Sequence, residues 1–314
     1  MTFAAGYRAK DTIPTPAQLI DSMVLSDQLE WSFRLVSNFK QQQFRLRNGD
    51  SRLLCRPNNP FGFGFGVANQ NIVIDILFNI KAGEENPTDK FAAEGGLVIK
   101  KKNLVGFTIE NVHGYQITSD QTDYDSFRED ISMFSLGLEY LRILGKNNVS
   151  VRGMKSGFRG DVRTFLSYGI GGFLLIKNLD ADESIIPEED QSYFNEQAAI
   201  VDMNSFGGGV LGGLFAYFNL PGDFFATALV APGIGLDYKY VKAELGSYVP
   251  STPIMYKTDL FGSVGYNRKK FYIHFTFGTD LYWTNLDYGN SVSLSITKSK
   301  LILGYNLGRL RKSK

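Results

Sequence analysis

From Pro60 to Ile80 the chain reads PFGFGFGVANQNIVIDILFNI, and its large apolar residues fall on alternate positions. Phe61, Phe63, Phe65 and Val67 alternate with Gly62, Gly64, Gly66 and Ala68. After a three-residue turn, Ile72, Ile74, Ile76, Phe78 and Ile80 alternate with Val73, Asp75, Leu77 and Asn79. A period of two is the spacing of a strand, not of a helix. A soluble sheet would put abundant charge on its second face, whereas this one carries glycine, one acid and one amide. The pattern suits a strand pair with lipid on one side.

The same alternation recurs along the chain. A first strand is predicted from about residue 30, with Trp31, Phe33, Leu35, Ser37 and Phe39 opposing Ser32, Arg34, Val36, Asn38 and Lys40, and it runs on to a hairpin turn at Asn48-Gly49. The returning strand carries Leu53 to Arg56, and Pro57 and Pro60 mark a bulge or break around Asn58-Asn59. Further strands are expected near 91–101, 104–117, 129–143, 162–177, 198–218, 223–241, 256–267, 270–283 and 291–307. The uncharged run Met203–Gly222 is long enough for a membrane helix, but it holds six glycines, each costing about 1 kcal/mol against alanine in a helix. Its Phe206, Val210, Leu214 and Phe218 are separated by even numbers, so it too reads as a strand.

The expected fold is therefore all-β, a transmembrane antiparallel β-barrel of about twelve strands. It would span residues 29–310, between an N-terminal periplasmic segment at 1–28 and a basic tail at 311–314. The leader reads either as disordered or as a short helix begun by Thr15-Pro16 that docks under or inside the barrel. Its opening residues lack the apolar core of a signal peptide, and a signal cut short is expected.

The connections test the topology. Counted from a periplasmic N-terminus, the inner links at 69–71, 101–103, 219–222 and 267–269 are tight, and 144–160 is the exception. The outer links at 82–90, 119–127, 178–197 and 245–255 are longer, as outer-membrane barrels require, and those at 119–127 and 178–197 are acidic. Rings cluster at strand ends, at Tyr217-Phe218, Phe224-Phe225, Tyr266, Phe271-Tyr272 and Tyr282-Trp283, where two aromatic belts would meet the headgroups.

Composition sharpens this picture. The chain has 33 glycines, 25 phenylalanines and 16 tyrosines but is only 43% hydrophobic, unlike a helical membrane protein. A net charge of +1 gives no chain-wide basic footprint for nucleic acid. The single cysteine, Cys55, allows no internal disulfide and no clustered thiol metal site.

The segment Leu53-Leu54-Cys55-Arg56-Pro57-Asn58-Asn59-Pro60, followed by Gly62-Phe63-Gly64-Phe65-Gly66-Val67, resembles a Bacteroidota family catalogued as a domain of unknown function, the one numbered 4421. The resemblance runs from about Trp31 to the end and is strongest at 53–80. It implies an exported outer-membrane barrel without assigned chemistry. Barrels of this kind commonly finish on an aromatic residue, whereas this chain continues past Tyr305 into a basic tail.

Candidate chemistry is sparse. His113 and His274 are the only histidines, too few for a histidine metal cluster. His274 is predicted to face the lumen, where a triad with Ser263 or Asp280 is conceivable but selected by no spacing. Gly62 to Gly66 lacks the ending of a phosphate loop, and the acidic stretch 180–190 lacks EF-hand order. No cofactor and no metal are expected.

The inward polar set is Arg34, Lys40, Asp75, Glu139, Asp237, Lys239, His274 and Asp280, with Arg56, Pro57, Asn58 and Asn59 forming a rim motif. Mixed charges in a lumen either brace the wall or line a polar passage. Gly62, Gly64 and Gly66 form a smooth inner wall, against which an aromatic or arginine side chain from across the lumen, or the N-terminal segment, is expected to pack. The resulting expectation is a non-enzymatic monomer surrounded by outer-membrane lipid. It would be a structural envelope component or bind an envelope protein. The alternatives are a narrow solute pore and a hydrolase using His274.

Overall fold

The computed structural model describes residues 30–69, 71–81, 87–100, 102–144, 164–268 and 270–309. Among them, the period-two stretches form β1 (Glu30–Asn48), β2 (Ser51–Arg56), β3 (Phe61–Ala68), β4 (Ile72–Asn79), β5 (Asp89–Ile99), β6 (Asn103–Ser119) and β7 (Asp125–Ile143). They continue as β8 (Phe165–Asp180), β9 (Ile200–Leu220), β10 (Phe224–Ala243), β11 (Gly246–Tyr248), β12 (Ile254–Asn267), β13 (Phe271–Asp287) and β14 (Asn290–Arg309). The stretch 203–222 is strand, as its alternation predicts. Residues 1–28, the link 145–163 and the tail 311–314 lie outside the described residues.

Every neighbouring pair is antiparallel, and β1 meets β14 over almost its whole length, so the sheet closes on itself. Twelve strands make the ring: β1, β3 to β10, and β12 to β14. Closure removes the open edges that lipid could not satisfy. Outward positions carry the predicted apolar rows, with Phe61, Phe63, Leu166, Ile170, Val210 and Ile234 all exposed while their sequence neighbours are buried or half-buried. A closed antiparallel barrel with an apolar outer band is an outer-membrane β-barrel.

The ring is not uniform. Between β1 and β6 the lower wall contains three strands, β3, β4 and β5, but the upper wall contains only β2, which pairs with Phe44–Asn48 on one side and Gln116–Ser119 on the other. The barrel thus has twelve strands on the turn side and ten on the loop side.

The segment from Arg56 to Pro60 makes this fork. The expectation of a rim motif is corrected here: β1 continues for eight residues past Lys40, so the segment sits within the wall. Proline at 57 and 60 supplies no N–H, which ends β2's ladder and lets the chain step sideways into β3. Asn58 then acts as a backbone mimic. Its N–H donates to Thr88 Oγ1 at 3.1 Å, and its Oδ1 accepts from the Thr88 N–H at 2.9 Å. Asn59 Nδ2 donates to the Ile80 carbonyl at 3.3 Å. Lys90 Nζ donates to the carbonyls of Lys40 and Asn59, at 2.7 and 3.3 Å. Together they satisfy backbone groups that a forked ladder leaves unpaired.

The connection between β8 and β9 packs into the barrel on the loop side. Instead of a solvated acidic loop, residues 181–199 fold inward through two short 3-10 turns, Glu188–Tyr193 and Glu196–Ala198. Ala181, Ile185, Ile186, Phe194 and Ala198 are buried against the upper lumen wall, which presents Phe44, Leu46, Leu53, Cys55, Tyr115, Ile117, Ile131 and Met133. The acidic count of this loop obscured its apolar residues.

Polar contacts stitch the lid to its neighbours. Arg128 grips Asp130 with two bonds of 2.6 Å and donates to the Ser184 carbonyl at 3.0 Å. Thr122 Oγ1 donates to the fully buried Asp190 at 2.9 Å. Asn195 Nδ2 donates to the Tyr288 carbonyl, and Tyr248 Oη donates to the Gln197 carbonyl.

Candidate functional site

The candidate site is the barrel interior. On every strand one parity points inward, so a charged residue there must find a partner or bear a large desolvation cost. Arg34, on β1, stands in register with Gly66 on β3, and Gly66 with Asp75 on β4. Arg34 Nε and Asp75 Oδ1 meet at 3.0 Å above the glycine. A Cβ on Gly66 would collide with Asp75 Oδ1 and the Ile74 carbonyl. Gly64 is likewise bridged by Val36 and Leu77, and Gly62 is covered by Asn38 Oδ1.

The glycine wall therefore does admit close packing, but its cover comes from adjacent strands. Arg34 lies on the neighbouring β1, not across the lumen, because a long side chain reaches over one bare strand more easily than over the barrel's width. The packing expected from the N-terminal segment falls outside the described residues.

Other charges cross the lumen. Lys300, on β14, reaches Asp75 at 3.1 Å and Glu94 at 2.5 Å. Lys40 pairs with Glu110 at 3.1 Å, four strands along the lower ring. Lys257, on β12, lies 2.7 Å from Glu139 on β7 and also contacts Asp259, while its ammonium sits 5.5 Å from the Phe173 ring centroid. Lys298 pairs with Asp280 at 3.1 Å. Nearer the lid, Asp237 joins Lys177 at 3.1 Å, Lys239 at 3.6 Å and the Ser205 hydroxyl at 2.6 Å.

Gln42 reaches over the interior at the level of the fork. Its Nε2 donates to Ser135 Oγ at 3.2 Å, joining β1 to β7, three strands away along the upper wall and five along the lower. The interior holds a cavity of about 190 Å³ whose lining includes Glu94, Glu139, Asp259, Asp280 and Lys298 beside Leu104, Leu141 and Leu211. Among the described residues no cluster of three metal-ligating side chains occurs.

Of the residues singled out from sequence, Arg34, Lys40, Asp75, Asp237, Lys239 and His274 are buried inside the barrel, and Glu139 and Asp280 are partly exposed to the cavity. They do not form one cluster. Arg34 and Asp75 belong together, Asp237 and Lys239 form a second group, and Glu139 and Asp280 border the cavity. His274 lies apart, stacked on Tyr272 at 4.5 Å and edge-on to Phe225 at 5.1 Å.

Sequence reading passed over Glu94, Glu110, Lys177, Lys257, Asp259, Lys298 and Lys300. Parity would have found several. Lys298 and Lys300 alternate with Ser299, Leu301 and Leu303 and so share the inward face of β14.

The aromatic belts need a related correction. In each adjacent pair of rings one is lipid-facing and one is not: Phe218, Phe224, Phe271 and Trp283 are exposed, whereas Tyr217, Phe225, Tyr272 and Tyr282 fill the lumen. A strand cannot put consecutive side chains on one face. The inward rings have work of their own. Tyr272 lies over the bare backbone of Gly304, and its hydroxyl is 2.9 Å from Ser32 Oγ.

Comparison with protein families finds the model described as domain of unknown function DUF4421, matched over residues 21–308. The chain belongs to this family. No match was found among curated proteins. Solved structures similar to this DUF4421 barrel include the outer membrane protease OmpT of Escherichia coli, at 10% identity, 89% of this chain, 97% of that one and a TM-score of 0.39. The β domain of the Bordetella autotransporter BrkA has 10% identity, covers 88% and 99%, and scores 0.35. An outer membrane channel of Pseudomonas putida F1 has 10% identity, covers 88% and 95%, and scores 0.32.

Proposed function

We propose that this DUF4421 protein is a sealed, non-conducting outer-membrane barrel that serves as a structural or partner-binding component of the envelope. The observation that carries the reading is the wall-to-wall contact of Gln42 with Ser135 beneath an inward-folded lid. Buried ion pairs brace such a wall from within. Binding is assigned to the loop side, where Val249 and Tyr288 are exposed in a groove of about 750 Å³ that also takes in Trp283 and Asp287. Exposed apolar residues outside the lipid band mark interaction surfaces.

The His274 ring is fully buried between two aromatic rings, so a hydrolase draws no support from it. The narrow-pore alternative rests on the residual cavity with its carboxylates. Proteoliposome swelling in small sugars and amino acids distinguishes the two. The sealed barrel should swell no faster than empty liposomes, and rapid swelling would favour the pore.

A further inference from the structure

The outer wall interrupts its own lipid-facing pattern at one place. On β1 the outward row reads Trp31, Phe33, Leu35, Ser37 and Phe39, then changes toward the loop side to Gln41, Gln43, Arg45 and Arg47. On β14, beside it, Leu301, Leu303 and Tyr305 give way to Ser299, Thr297, Ser295, Ser293 and Ser291. Register sets Arg45 opposite Ser293 and Arg47 opposite both Ser291 and Arg52. Arg45 and Arg47 are exposed and, among the described residues, have no ion-pair partner; Arg52 lies 3.9 Å from Asp120.

An arginine on the lipid face costs about 2–4 kcal/mol at the bilayer midplane but little near the interface. These two therefore mark the outer headgroup level, where phosphate groups lie. The small hydroxyl residues also leave a depression. A groove of about 340 Å³ has Ser293 and Ser295 in its floor, Leu281, Trp283 and Tyr256 on one side, and Gln43 and Arg45 on the other. An aromatic face beside hydroxyl and amide groups suits a sugar ring, and planar guanidinium groups suit a phosphate.

We propose that this groove binds the phosphorylated sugar headgroup of an outer-leaflet glycolipid, with the phosphate on Arg45 and Arg47 and the sugar between Trp283 and Gln43 over the serine floor. The acyl chains would then descend along Leu301, Leu303 and Phe33, which continue the same wall below it. Gln41, Gln43 and the hydroxyl row would meet a polar ligand in place of hydrocarbon. The site is independent of whether the lumen conducts.

The test uses the full chain in phosphatidylcholine nanodiscs, with fluorescent lipid A as the probe and heat-modifiable mobility to verify that each variant is folded. Arg45→Ala/Arg47→Ala should weaken binding on the order of tenfold or more, since hydrogen bonds to charged groups contribute about 1.5–3 kcal/mol each. Ser293→Trp, which fills the floor and keeps both arginines, should weaken it similarly. Lipid A stripped of phosphate should bind as poorly as it does to the double variant. Unchanged affinity in both variants, or equal binding of the dephosphorylated lipid, would overturn the proposal. Free glucosamine 1-phosphate binding as tightly as lipid A would overturn the lipid as its source.

Discussion

Asp75→Ala is the substitution that most sharply probes the braced interior. Asp75 is 2% exposed and accepts from Arg34, itself 1% exposed, and from Lys300. Lys300 retains Glu94 when Asp75 is removed, but Arg34 loses the carboxylate in register with it across Gly66. Breaking a buried pair by deleting one partner costs about 3–5 kcal/mol, because it strands a desolvated charge. The cost should be largely relieved in Arg34→Met/Asp75→Ala, where no guanidinium is left unpaired and the thioether fills part of the space. Urea unfolding in detergent micelles, followed by heat-modifiable mobility, gives both midpoints. The single variant should unfold at clearly lower urea, with the double variant recovering most of the loss. Equal midpoints for wild type and Asp75→Ala would refute a bracing role, since the pair would then contribute nothing the lumen requires.

Further outcomes follow from other parts of the wall. Gly304→Val should destabilise the barrel by a few kcal/mol or prevent closure, because the Tyr272 ring occupies the space of a Cβ there; overpacking of this kind costs about 1–3 kcal/mol or more. Ile185→Asp would place a carboxylate at a fully buried lid position, so external protease should cleave 181–199 in intact cells carrying the variant and spare the wild type. Asp287, at the β13–β14 turn, accepts from the Ser251 N–H at 2.5 Å, and this bond holds its carboxyl below the usual carboxylate range. A depressed folded pKa gives stabilisation that is full above the unfolded value of about 3.9 and is lost as pH falls through the folded one. Acidification below about pH 4 should therefore loosen the 249–251 segment, read as a change in Trp283 fluorescence that Asp287→Asn lacks.

Much of the fold was legible because a barrel wall obeys a strict alternation. The rows through Phe61, Phe63 and Phe65 and through Ile72, Ile74 and Ile76 lie on the outside, as their spacing requires. The fork was not legible in the same way. Pro57 and Pro60 signalled a break, but only the pairing of β2 with β6 shows that three strands replace one beneath it. The lid was hidden for a different reason. Ile185, Ile186 and Phe194 follow no strand period, and their burial depends on a lumen assembled from distant strands. The interior charges were only half found, since Lys300 and Glu94 acquire meaning together through a contact across 206 residues of sequence.

Single-channel recording of the purified protein in planar bilayers tests the sealed lumen most directly. The Gln42–Ser135 crossing and the lid predict a flat baseline at moderate voltage, with no steady current above that of the bare membrane. Reproducible unitary steps from folded wild-type protein would contradict the account.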